Sequence, residues 1–162
     1  MSPVRTAAFA LAALFAAACA SGPDVEALQK GVDDAVAAKD FGGAVTKADE
    51  ALKQEAIAKD PAKAWRFESA KLNAQASGGK GADVKAGLER LAGTYPKQIT
   101  SSLYLSLADK LRAANDGPGY ADLLDAGKKK FPEEAAFATK LEELKTSADP
   151  AEIERLKALG YL

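Results

Sequence analysis

Pro61, Pro96 and Pro132 stand 35 and 36 residues apart, and a fourth proline, Pro150, follows them. Each lies between apolar-periodic segments. Proline lacks the N–H of the helical ladder and its ring clashes with the preceding turn, so a helix stops before such a residue or starts at it. The intervals between the prolines therefore hold two short helices each. Ala, Leu, Lys and Glu dominate these intervals, and all four favour helix. No run sustains the period-two alternation of a half-buried strand. The expected fold class is all-α. A period in the mid-thirties is the footprint of paired-helix solenoids. A compact helical bundle with short loops gives a similar spacing, and both architectures stay open on spacing alone.

The clearest unit runs from Ser101 to Pro132. Tyr104, Leu107, Ala108 and Leu111 form an i, i+3, i+4, i+7 stripe, the signature of an amphipathic helix. Asn115-Asp-Gly-Pro-Gly119 reads as a turn whose glycines supply positive φ. Tyr120, Leu124 and Gly127 then mark a second helix. This pattern of aromatic, leucine and small residues with a closing proline resembles the tetratricopeptide repeat, with Tyr120 and Leu124 departing from the family's usual small-then-aromatic choice. The resemblance implies antiparallel helix pairs stacked as a short solenoid, with hairpins at about 24–60, 61–95, 97–131 and 133–162. Gly127 occupies the place where the family's helices touch. The first unit reads as Val25, Leu28 and Val32, a break at Phe41-Gly42-Gly43, then Val45, Ala48, Leu52 and Ala56. The second has Trp65, Phe67 and Leu72, a turn at Ser77–Gly81, then Val84, Leu88 and Leu91. In the last, Phe137, Leu141 and Leu144 precede a short helix with Asp149 as N-cap and Pro150 in its first turn. Gly160 can end that helix in the left-handed conformation, letting Tyr161 fold back over the last turn as a cap that shields the apolar end of the stack.

The N-terminus carries an address. Arg5 precedes an apolar run of 12 residues, Ala7–Ala18. That length suits a secretory signal and falls short of the ~20 residues of a bilayer-spanning helix. Ala16-Ala17-Ala18-Cys19 resembles the lipobox of bacterial lipoproteins, which implies a signal peptide over 1–18, acylation of Cys19 and a lipidated tether over 19–23. Ala18-Cys19-Ala20 also fits an ordinary signal-peptidase site, after which the protein would be secreted to the periplasm. Acylation gives the chain's single cysteine a use and removes an exposed thiol from an oxidising compartment. Ala20 and Ser21 follow the cysteine in place of aspartate, and the sorting rule of such lipoproteins then implies the outer membrane, periplasmic face. Two or three buried acyl chains, at ~0.8 kcal/mol per CH₂, make the attachment stable. A tether of about five residues holds the domain within roughly 20 Å of the bilayer.

Composition narrows the chemistry. Histidine is absent and Cys19 has no partner, so no intrachain disulfide forms and the strong zinc and nucleophilic-triad signatures lack their parts. The balance of 22 basic and 23 acidic residues offers no basic stripe for nucleic acid. Asp33-Asp34, Glu133-Glu134 and Glu142-Glu143 are adjacent on helices and point about 100° apart, so they do not oppose each other across a cleft as acid/base catalysis requires. Lys128-Lys129-Lys130 suits the last turn of a helix, where cations oppose the macrodipole; contact with anionic lipid or another envelope polymer is the functional alternative. Trp65, Phe67 and Tyr104 are core fillers in alanine-rich helices; were they to line a groove, they would bind a peptide, with Arg66 and Lys71 supplying charge at its edge.

No enzyme, cofactor or metal site is expected. The function expected is a membrane-anchored, non-enzymatic scaffold or adaptor for a protein or peptide partner of the cell envelope. The alternative is a carrier of a small ligand or lipid in an apolar pocket between the helices.

Overall fold

The computed structural model describes residues 24–147 and 149–162. The signal segment 1–18, Cys19 and the tether 19–23 lie outside the described residues. Among the described residues nine helices follow one another: α1 (Val25–Ala37), α2 (Phe41–Leu52), α3 (Glu55–Ala58), α4 (Pro61–Ser77), α5 (Gly81–Thr94), α6 (Ser101–Ala113), α7 (Gly117–Lys130), α8 (Ala135–Leu144) and α9 (Pro150–Ala158). No strand occurs among the described residues, and the protein is all-α.

Most helix starts have an evident local cause. Asp24, Asp40, Asp60, Thr100, Asp116 and Asp149 each occupy an N-cap and accept a hydrogen bond from a backbone N–H of the first turn. The hairpin turns share one geometry. Lys39 (φ 58°), Gly79 (φ 66°) and Asn115 (φ 60°) take the left-handed conformation. In each turn the next residue sends its N–H five residues back: Asp40 to Ala35, Lys80 to Gln75 and Asp116 to Leu111, at 2.9–3.0 Å. This is the Schellman arrangement, which satisfies carbonyls left open at a helix end. Gly160 (φ 82°) repeats it after α9, with Tyr161 N–H bonding Leu156. The first break therefore falls at Lys39, and Phe41-Gly42-Gly43 forms the opening turn of α2. Likewise Asn115 carries the positive φ, while Gly117 and Gly119 are already helical.

The hairpins stack. α1 packs with α2, α4 with α5, α6 with α7 and α8 with α9. Each first helix also packs on the previous one from α1 through α4 to α6, and the second helices α5, α7 and α9 form their own row. Cross-contacts fix the directions. Glu26 meets Arg66 near the starts of α1 and α4, while Trp65 near the start of α4 meets Tyr95 just after α5. Lys140 of α8 reaches Asp109 of α6. Gly127 meets α8, where an added Cβ would lie 2.3 Å from Phe137 Cε1, so its smallness serves the next repeat.

Two apolar clusters result, and α4 is their shared wall. Phe67 and Ala74, seven residues apart, belong to the smaller cluster with Val32, Ala44, Ala48 and Ile57. Leu72 and Ala76, with half-buried Trp65 against them, belong to the larger one. At 100° per residue, Phe67 and Leu72 lie about 140° apart on the helix, so α4 is buried along two stripes. The first unit departs from expectation after Leu52. The continuation at Ala56 is exposed, and α3 turns Ile57 fully inward instead. Asp60 then caps α4, and Pro61 stands in its first turn.

The C-terminal cap is real but seated elsewhere than on its own last turn. Tyr161 Oη donates to Asp125 Oδ1 on α7 at 3.0 Å, and Lys129 Nζ donates to Oδ2 at 2.8 Å. Lys128 stands 4.9 Å from the Tyr161 ring centre. Burial, then the hydrogen bond to Asp125 and the carboxylate's charge, push the Tyr161 hydroxyl up to about 12 from its ordinary 10.0. The protonated hydroxyl is thus the form the fold favours, so its contribution is complete below pH ~10 and is lost as pH rises from there through ~12. The Tyr161→Phe variant should therefore melt below the parent protein at neutral pH, with the gap closing between pH 10 and 12 in paired thermal melts.

Candidate groove between the first helices

α1 and α4 run side by side but touch sparingly, and the space between them is an open groove of about 570 Å³. Its apolar lining comes from Val32, Val36 and Ala70, and Asp33, Arg66 and Asn73 give it polar edges. Helical spacing explains the lining: Val32 and Val36 are one turn apart on α1, as are Arg66, Ala70 and, three residues on, Asn73 on α4. Arg66 donates two hydrogen bonds to the Glu26 carboxylate, at 2.5 and 2.9 Å. That bond holds the Glu26 carboxyl below its usual value and raises the arginine further, so the edge stays zwitterionic across the physiological range. Gln29 Nε2 donates to Asp33 Oδ1 at 2.8 Å, while the buried Gln29 Oε1 has no donor among the described residues. The groove thus combines an apolar strip with a paired charge at its edge.

The residues singled out in the sequence do not converge here. Only Arg66 lines the groove. Phe67 and Tyr104 are 0 % and 4 % exposed and belong to the two cores. Trp65 faces the other way, its ring centre 5.3 Å from that of Tyr95. Lys71 pairs with Asp49 of α2 at 2.6 Å. The contribution of α1 was missed because half-buried Val36 looks like an ordinary core position beside Val32, which is one. The extra apolar stripe of α4 was the available signal that the helix has neighbours on two sides.

Asp33-Asp34 and Glu142-Glu143 are exposed, and Glu133-Glu134 precede α8 with Glu134 accepting from Ser101 Oγ at 3.1 Å. No group of three or more metal-ligating side chains occurs among the described residues, and none of their helices is long and apolar enough to cross a membrane. The fold defines the chain as an all-α protein of stacked helical hairpins. Protein-family models, curated proteins and solved structures offer no match to it.

Proposed function

We propose that the protein is a lipid-anchored envelope scaffold, tethered through an acylated Cys19, that holds a protein or peptide partner in the groove between α1 and α4. The observation that carries this reading is the groove itself: an elongated, solvent-open channel with an apolar strip and polar edges. Such a surface suits an amphipathic segment, whose apolar side chains would cover half-buried Val36 and Ala70 while its polar groups meet Asp33 and Asn73. The lining of the groove on α1 starts at Gln29, in the second turn of the helix that would follow the tether, so a bound partner would be held close to the membrane. A carrier role for a small ligand is less well served, because a channel open to water shields little of such a molecule.

The test is site-specific photocrosslinking in the native membrane, with the photoreactive residue at Val36 or Ala70 of the groove or at exposed Glu154 of α9. A discrete adduct from both groove positions and none from Glu154 is the expected result. Equal labelling from all three positions, or none from the groove, overturns the reading. Intact mass of the extracted protein tests the anchor separately: the chain should begin at Cys19 and carry acyl mass.

A further inference from the structure

The directions of the hairpins place several unrelated features at one end of the stack. α1, α4, α6 and α8 begin there, and α2, α5 and α7 finish there. Trp65 in the second turn of α4 pairs with Tyr95 just after α5. Ser101 at the start of α6 bonds Glu134 ahead of α8, and Tyr104 packs edge-on against Phe131 after α7. The Glu26–Arg66 pair sets Asp24 level with Trp65 along the stack. The end that bears the half-buried Trp65–Tyr95 pair is therefore also the end from which the chain leads back to Cys19.

The charge at this end is uneven. Lys53 after α2, Lys97 after Pro96, and Lys128 and Lys130 at the end of α7 have no carboxylate within ion-pair distance among the described residues. Lys128 and Lys130 instead stand over the Tyr161 and Phe131 rings. Most acids of the same end are committed. Glu55 pairs with Lys59, Asp60 with Lys63 and Glu26 with Arg66, and the Asp24 side chain caps α1. Glu50 in the last turn of α2 and Glu133 ahead of α8 are exposed carboxylates that oppose them.

We infer that this end of the stack docks on an anionic lipid surface, with Trp65 and Tyr95 at headgroup level and Lys53, Lys97, Lys128 and Lys130 facing the lipid charge. Tryptophan and tyrosine favour the boundary between headgroups and hydrocarbon because an apolar ring carries a polar tip. Lysines near an anionic membrane are attracted to it, and the attraction weakens with salt. The inference rests on the acylated-tether reading: five residues from Cys19 to Asp24 leave the end bearing Trp65 nearest the bilayer. Docking would fix the stack upright, with the α1–α4 groove running away from the membrane and open to a partner.

Trp65 is the chain's single tryptophan and reports on this directly. The experiment uses unacylated residues 19–162, which contain every described helix and both apolar clusters. Its Cys19 thiol is coupled to maleimide lipid in vesicles, so the outcome does not depend on whether the native cysteine is acylated. Vesicles are zwitterionic or rich in phosphatidylglycerol, and each carries a nitroxide-headgroup lipid that quenches nearby fluorescence. Trp65 should be quenched on anionic vesicles, much less on zwitterionic ones, and progressively less as salt rises. Replacing Lys53, Lys97, Lys128 and Lys130 with Gln should lower the docked-to-undocked ratio by about fivefold per lysine. Quenching that is absent, or that ignores vesicle charge and salt, overturns the inference. The salt titration on the parent sequence decides the matter if the four-lysine variant is misfolded by circular dichroism.

Discussion

Phe67→Ala should cost about 3–5 kcal/mol and should do so unevenly along the chain. Phe67 is fully buried and is the one aromatic ring among the buried residues of a cluster that is otherwise mostly alanine: Val32, Ala35, Ala44, Ala48, Ala51, Ile57 and Ala74. Alanine side chains cannot reach into the void its loss would leave, so the site collapses poorly and the cost falls in the upper part of that range. The larger cluster, from Leu72 to Leu156, does not include Phe67. In a stack where each unit contacts only its neighbours, damage stays near its source. Hydrogen exchange on Phe67→Ala should therefore show lost protection in α1 and α2, with the amides of α6 and α7 close to their parental rates. Uniform loss across all helices would mean that the molecule unfolds as one closed bundle. Trp65→Ala is the informative partner, since Trp65 packs on the larger cluster; its loss should be felt first in α5 and the Tyr95 turn.

The helices were legible because proline and capping aspartate act within a few residues of where they stand. Pro61 and Pro150 sit in first turns, and the stripe of Tyr104, Leu107, Ala108 and Leu111 is buried along its whole length. What escaped were features set by backbone conformation and by distant neighbours. Lys39 takes a left-handed φ that its residue type does not advertise, so the break was placed on the glycines after it. The better signal was the aspartate that follows, since Asp40 and Asp116 each stand directly after the left-handed residue and cap the next helix. Ile57 was hidden because one turn of helix has no period to detect. The groove was hidden for a different reason. A helix with two apolar stripes shows no single apolar face, so which residues of α4 meet the core and which meet an opening depends on neighbours far away in the chain.

Asp116→Ala is the second large effect, and it comes from a contact that no local pattern announces. One carboxylate serves two helices: Oδ1 accepts from Gly119 N–H of its own α7 at 2.9 Å, and Oδ2 accepts from Gly81 N–H of α5 at 2.8 Å. α5 needs this help because Lys80 occupies its N-cap and makes no side-chain cap bond. The approach is close, since a Cβ on Gly81 would lie 2.5 Å from Gly119 Cα, and the bond is part-buried. Losing a cap costs typically ~1 kcal/mol, and the second bond to a charged group, part-buried at Gly81 N–H, adds about 1.5–3 kcal/mol. Asp116→Ala should therefore cost about 2–4 kcal/mol in urea denaturation, against about 1 kcal/mol for Asp40→Ala, which removes one exposed cap bond to Gly43. Asp116→Asn keeps one acceptor oxygen of two and should fall between them. Lys80→Asp offers α5 a cap of its own, so it should recover part of the loss in the Asp116→Ala background and do little alone, a non-additivity that measures the shared bond. If Asp116→Ala costs no more than Asp40→Ala, the carboxylate is capping one helix only, and the tie it makes between neighbouring hairpins contributes nothing to the stack.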